Sequence, residues 1–149
     1  MNLKEFLPEN AVLPELTALS ETAVLSELIE PLLALHPELN GAEVLAILQE
    51  REALGSTAVG DGVAIPHGKI DGLGRLALAV GRSVGGIEFK APDKEPVHLF
   101  FLILAPENEP GSHLRLLAQI ARRVKDPLFR ADAMNAQGRS QLWQTITEP

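Results

Sequence analysis

One of the chain's four histidines, His67, stands between Pro66 and Gly68 at the end of a stretch of small residues, GSTAVGDGVAIPHGK, positions 55–69. A neutral imidazole keeps a lone pair at pH 7 and can attack phosphorus. Such a nucleophile needs small neighbours that admit a bulky donor. It also needs positive or hydrogen-donating groups around the transferring phosphoryl. The glycines flanking His67 meet the first need. Arg51, with a planar fork of N–H donors, meets the second. His113 is a further candidate, expected in the first turn of a helix capped by Ser112, where free N–H groups and the dipole favour anions. Ser56 and Thr57 could add hydroxyl donors.

Rival chemistries fit the same stretch less well. The ending Gly68-Lys69 suggests a phosphate-binding loop, but Gly62 to Gly68 encloses five residues where four are needed, and Ile70 stands where a hydroxyl is required. GDGVAI lacks the third glycine of a dinucleotide fingerprint. No G-x-S-x-G elbow and no H-E-x-x-H helix is present, so hydrolase and metalloprotease readings have no motif. A metal site built on His67 and His113 would lack both cysteine and an identifiable carboxylate ligand. Each residue also has a plain structural reading. His67 could be an ordinary turn histidine, His113 a helix-start residue, Arg51 an answer to a helix C-terminus, and Ser56 and Thr57 turn formers.

The elements that must position these residues are partly legible. Ser20 caps a helix over ETAVLSELIEPLLALH with Val24, Leu25, Leu28, Leu32 and Leu35 on its apolar face, and Pro31 should kink or split it. Asn40 and Glu43 form a capping-box pattern before a helix carrying Val44, Ile47, Leu48 and Leu54, ending between Arg51 and Gly55. Strand signals follow in GVAIPH, RLALAVGRSV and the buried run at the end of IEFKAPDKEPVHLFFLILAP. Beyond the loop PENEPGSH comes the Ser112-capped helix, with Leu114, Leu117, Ala118, Ala121 and Val124 expected in the core and Arg122, Arg123 and Lys125 in solvent. Asp126-Pro127 opens a further helix that Gly138 should end, and Ser140 should start a last one through Trp143 and Ile146. His98 reads as a core or edge residue of a strand, and His36 as a helix-end residue. The expected fold is α/β: one domain with a mixed β-sheet covered by helices on both faces.

Composition narrows the functions. The 149 residues suit one domain with a full core, and 46% hydrophobic against 22% charged residues is ordinary globular usage. A formal charge of −7 argues against a nucleic-acid partner and allows one with a basic patch. The absence of cysteine removes disulfides, thiolate metal sites and a cysteine nucleophile. The N-terminus does not read as a signal peptide and the longest strongly apolar run is far short of a membrane span, so a soluble, cytoplasmic protein is expected.

REALGSTAVGDGVAIPHGK closely resembles the active-site segment of the fructose/mannitol-type enzyme IIA domains of the bacterial phosphoenolpyruvate:sugar phosphotransferase system. The likeness continues through GGIEFKAPDKEPVHLFFLILAPEN and SHLRLLAQIAR, covering nearly the whole chain as a single domain over residues 1–149, and is strongest to the nitrogen-regulatory branch. The resemblance implies that His67 is phosphorylated on Nε2, with a phosphohistidine of an HPr-like phosphocarrier protein as donor. It implies that His113 hydrogen-bonds near the phosphoryl and that Arg51 contacts it. No cofactor is implied. A regulatory relay acting on unidentified target proteins is the leading expectation. A sugar-uptake enzyme IIA serving a separate IIB is the second, and a protein-binding module that is never phosphorylated is the third.

Overall fold

The structure, a computed structural model, describes residues 1–148. Five helices, α1 (Glu21–Leu35), α2 (Gly41–Ala53), α3 (Pro110–Arg123), α4 (Pro127–Asn135) and α5 (Gly138–Thr147), surround six strands. The strands are β1 (Val12–Leu13), β2 (Ala58–Gly60), β3 (Val63–Ala64), β4 (His67–Ile70), β5 (Ala77–Ile87) and β6 (Val97–Pro106). They form one mixed sheet in the order β1-β5-β6-β3-β2, with β4 following β3 along the same side of β6. β5 and β6 run antiparallel, while β3 and β4 both run parallel to β6.

The pleat of β6 assigns the helices to faces, because alternate residues point to opposite sides. Gly81 pairs with Phe100, and a Cβ on Gly81 would come within 2.8 Å of Leu28 on α1, so this face is covered by α1. Gly68 pairs with Leu104 on the same face, and a Cβ there would lie 3.0 Å from Ile47 on α2. Phe101 faces the other way, its ring against Phe129 of α4. His67 pairs with Ile103, two residues on from Phe101, and so points to the face that α3 and α4 cover. Helices on both faces of a mixed sheet are thus what the chain builds.

Local signals set the helix starts. Ser20, Asn40 and Asp126 each accept a hydrogen bond from a backbone N–H of the first turn. Several boundaries and faces differ from expectation. α1 runs unbroken through Pro31, its apolar stripe completed by Ile29 rather than by Leu35, which is exposed. Burial of Val24, Leu25, Leu28 and Leu32 outweighs the donor that Pro31 lacks. α3 begins at Pro110 behind Glu109, so Ser112 lies inside the helix and does not cap it. Its buried residues are His113, Leu116 and Ile120, with Val124 buried at its end as expected; Leu117 and Ala121 pack partly buried against the core, while Leu114 and Ala118 are exposed. Leu54 is likewise exposed rather than packed. Gly138 opens α5 instead of ending α4. Arg123 is not in open solvent: its guanidinium donates to the carbonyls of Thr145 and Ile146 and stacks on Phe129. Among the described residues no helix is long and apolar enough to cross a membrane.

Candidate active site

β4 has β6 on one side and no strand on the other; α2 packs on it, and α3, packed on β6, brings His113 to the ring of His67. An open cavity of roughly 420 Å³ forms there, lined by Ile47, Glu50, Arg51 and Leu54 of the α2 end, His67, Gly68 and Lys69 of β4, and His113 of α3. Three residues far apart in sequence, Arg51, His67 and His113, therefore share one concavity. A cavity of comparable size, roughly 460 Å³, lies between α4 and α5, but its lining contains no histidine.

His67 is held in one tautomer. Its Nδ1 lies 2.7 Å from the carbonyl oxygen of Ile65. A carbonyl only accepts, so Nδ1 carries the proton and Nε2 keeps a bare lone pair. His113 meets the ring edge-on, centroids 5.4 Å apart. The His113 Nε2 is buried without any hydrogen-bond partner, the one such side-chain atom among the described residues. Buried polar groups are costly when unpaired, so this atom fits a site whose acceptor arrives with the substrate. Arg51 donates one N–H to the Gly55 carbonyl at 2.8 Å, which fixes the guanidinium across the end of α2 while its fork holds further donors.

Both histidines are held below the ordinary imidazole value. For His67 burial is the main cause, offset in part by the Ile65 bond and reinforced by Arg51. For His113 burial leads again, with His67 and Lys69 adding repulsion. The rings are neutral at pH 7, as a nucleophile must be. The same shifts bear on stability. In the unfolded chain these rings take protons near 6.5, and in the folded chain only at lower pH. Their contribution is therefore complete above that value and is lost as pH falls below it, because the unfolded state binds more protons. Thermal unfolding followed from about pH 7.5 to about pH 5 should show a falling Tm, and the double variant His67→Gln, His113→Gln should flatten the slope.

Ser56 and Thr57 do not line this cavity. The Ser56 hydroxyl donates to the Phe89 carbonyl at 2.7 Å, and the Thr57 hydroxyl is bonded to the Glu52 carboxylate. Both hydroxyls hold the chain between α2 and β2 and lie outside the cavity lining where a phosphoryl-supporting role was expected of them. Lys69 and Glu52 were the residues that sequence reasoning passed over. Lys69 entered it only as part of motif strings, although it lines the cavity. Glu52 had a readable signal: Val44, Leu48 and Glu52 are spaced by four, which places an acid on the buried stripe of α2. No group of three or more metal-ligating side chains is gathered among the described residues.

Residues 5–148 match the family described as "Phosphoenolpyruvate-dependent sugar phosphotransferase system, EIIA 2". The chain belongs to this family. It is 40% identical over 126 residues to a nitrogen regulatory protein of Bradyrhizobium diazoefficiens, covering 85% of this chain and 82% of that one. It is 34% identical over 104 residues to a fructose-specific EIIA component of Haloferax volcanii, covering 70% and 68% respectively. The crystal structure of nitrogen regulatory protein IIA-Ntr from Neisseria meningitidis superimposes with a TM-score of 0.91 at 32% identity, covering 97% of this chain and 99% of that one. This EIIA chain is thus a phosphotransferase component, and its 40% identity to the Bradyrhizobium nitrogen regulatory protein exceeds its 34% identity to the fructose-specific relative.

Proposed function

We propose that this EIIA chain accepts a phosphoryl group on Nε2 of His67 from a phosphohistidine of an HPr-like carrier, and that its phosphorylation state governs binding to regulated proteins. The observation that carries the reading is the Nδ1–H bond to Ile65, which leaves Nε2 bare beside the unpartnered Nε2 of His113. In the transfer the His67 lone pair forms the new N–P bond as the donor's N–P bond breaks. The donor imidazole leaves with that electron pair. Positive charge gained by the His67 ring is shared with Nδ1–H, whose bond to the Ile65 carbonyl strengthens as the ring becomes cationic. Arg51 and the His113 N–H face the phosphoryl oxygens, so the site supplies position and charge stabilisation between two phosphohistidines of similar energy. A carried phosphate adds about −2 charge to an acidic protein, enough to change which partners dock. Action in the cytoplasm follows from this role.

The cavity rim suits a protein donor. Leu54 lines the cavity and Leu114 follows His113 on α3; they are 86% and 64% exposed. Apolar side chains left bare around a polar centre mark association surfaces. Leu54→Asp and Leu114→Asp should each weaken transfer from the carrier by about tenfold, as lower kcat/KM, and leave phosphorylation by the small donor phosphoramidate unchanged. A separate IIB as onward acceptor is the second reading, favoured by the fructose-specific relative. The decisive experiment mixes phosphoenolpyruvate, enzyme I, an HPr-like carrier and this chain, and follows intact mass. One acid-labile phosphoryl group per chain supports the relay. None, with the carrier demonstrably charged and cognate, leaves a binding module.

A further inference from the structure

The mechanism above makes no use of a buried acid that lies one residue from Arg51. Glu52 is only 8% exposed. Its Oε2 accepts the Thr57 backbone N–H at 3.0 Å, and its Oε1 is bonded to the Thr57 hydroxyl. The Thr57 carbonyl in turn accepts the Ile65 N–H at 3.0 Å, and the Ile65 carbonyl accepts Nδ1–H of His67 at 2.7 Å. Three hydrogen bonds, linked through the backbones of Thr57 and Ile65, thus connect a carboxylate on α2 to the far nitrogen of the nucleophile. The Glu52 carbonyl also accepts the Gly55 N–H, and Gly55 is the residue whose carbonyl holds Arg51.

We propose that Glu52 is a positioning residue for His67: by gripping Thr57 it places the Ile65 carbonyl that fixes the imidazole tautomer, and so keeps Nε2 unprotonated for attack. This rests on the reading of His67 as the phosphoryl acceptor. The N–H and C=O of Thr57, like those of Ile65, belong to adjacent peptide units joined at Cα, so the coupling is positional: holding the Thr57 backbone holds the Ile65 backbone bonded to it. Burial pushes the Glu52 carboxyl up, against the two Thr57 bonds that favour its ionised form. A glutamine keeps an acceptor oxygen for the Thr57 N–H and an amide that can donate to the hydroxyl, so it preserves the grip without the charge.

The test reads the imidazole directly. Ring ¹⁵N shifts of His67 are recorded in wild type, Glu52→Ala, Glu52→Gln and Thr57→Val, alongside the initial rate of phosphorylation by phosphoramidate. The expected result is a pure Nδ1–H tautomer in wild type and Glu52→Gln. A mixture of the two tautomers is expected in Glu52→Ala, with the rate reduced about tenfold or more, since small misplacements of a reacting atom are expensive. Thr57→Val, close in shape to threonine, should show a smaller change of the same sign and stands in if Glu52→Ala does not fold. Wild-type ring shifts in both Glu52→Ala and Thr57→Val, or a Glu52→Gln variant that behaves like alanine, would overturn the proposal. If wild type takes no phosphoryl at His67, the functional reading fails, while the ring shifts still decide whether Glu52 sets the tautomer.

Discussion

A chain carrying His67→Gln should gain no phosphoryl group from a charged carrier, whereas wild type gains one that acid releases. Glutamine keeps comparable bulk and a hydrogen-bonding end, so the sheet pairing of β4 with β6 should survive, and unchanged circular dichroism would confirm that the loss is chemical. What disappears is the lone pair: an amide nitrogen is not nucleophilic, and no cysteine is present to substitute for it. The loss should be total within detection, in contrast to the partial losses expected around the site. The Nδ1–H bond to Ile65 also fixes where the phosphoryl must go. In phosphorylated wild type, ¹⁵N spectra should place phosphorus on Nε2 with Nδ1 still protonated. Acid-labile phosphate on His67→Gln would move the acceptor elsewhere, with His113 the first residue to examine.

The second large effect couples rate and stability in opposite directions. His113 faces the core side of α3, yet its Nε2 is buried without a partner, at a cost of about 1–3 kcal/mol for such a group. His113→Leu fills much of the same space with nothing to satisfy. It should raise Tm by about 2–4 °C for each kcal/mol recovered in a chain of this length. On the proposed reading the same change removes a hydrogen-bonding group beside the transferring phosphoryl, and losses of about 10²–10³ in rate are usual for such groups. A variant that is more stable and far slower would show that the unpaired nitrogen is kept for the reaction. Lower stability with an unchanged rate would make His113 an ordinary packing residue. On that reading, phosphorylating wild type should itself raise Tm, because the unpartnered His113 Nε2 then gains a hydrogen-bond partner.

How much of this was readable in the chain follows the range of the interactions. Ser20, Asn40 and Asp126 were legible as caps because a cap is settled by residues three positions apart. β5 and β6 were legible as long apolar runs. β1, with only Val12 and Leu13, carries too little pattern to be seen, and β4 reads as a turn until β6 pairs with it. The inward face of α3 was misplaced in its first turn, though Leu117, Ala121 and Val124 do pack on the core. Leucines at 114 and 117 outweigh a histidine at 113 in any count of apolar spacing, yet it is the histidine that turns inward, beside His67. Arg51, His67 and His113 could be nominated from residue type and family likeness, but their meeting depends on β6 and the helices it carries. Ser56 and Thr57 were nominated on residue type alone. Their hydroxyls are spent on Phe89 and Glu52, partners that only the folded chain brings near. Glu52 was hidden for the complementary reason, since an acid on a helix acquires meaning only when Thr57 returns to it.

Gly68 packs so closely under α2 that even a methyl group would press on Ile47, while its neighbour His67 points to the opposite face. A shift of β4 by a single residue against β6 would exchange these two environments. The imidazole would then be driven into a space already tight for a methyl group, and the face toward His113 would carry no imidazole. No partial slippage is tolerable, so insertions or deletions between Ala64 and Ile70 should act as all-or-none lesions. The register of β4 against β6 thus constrains the length of this segment itself.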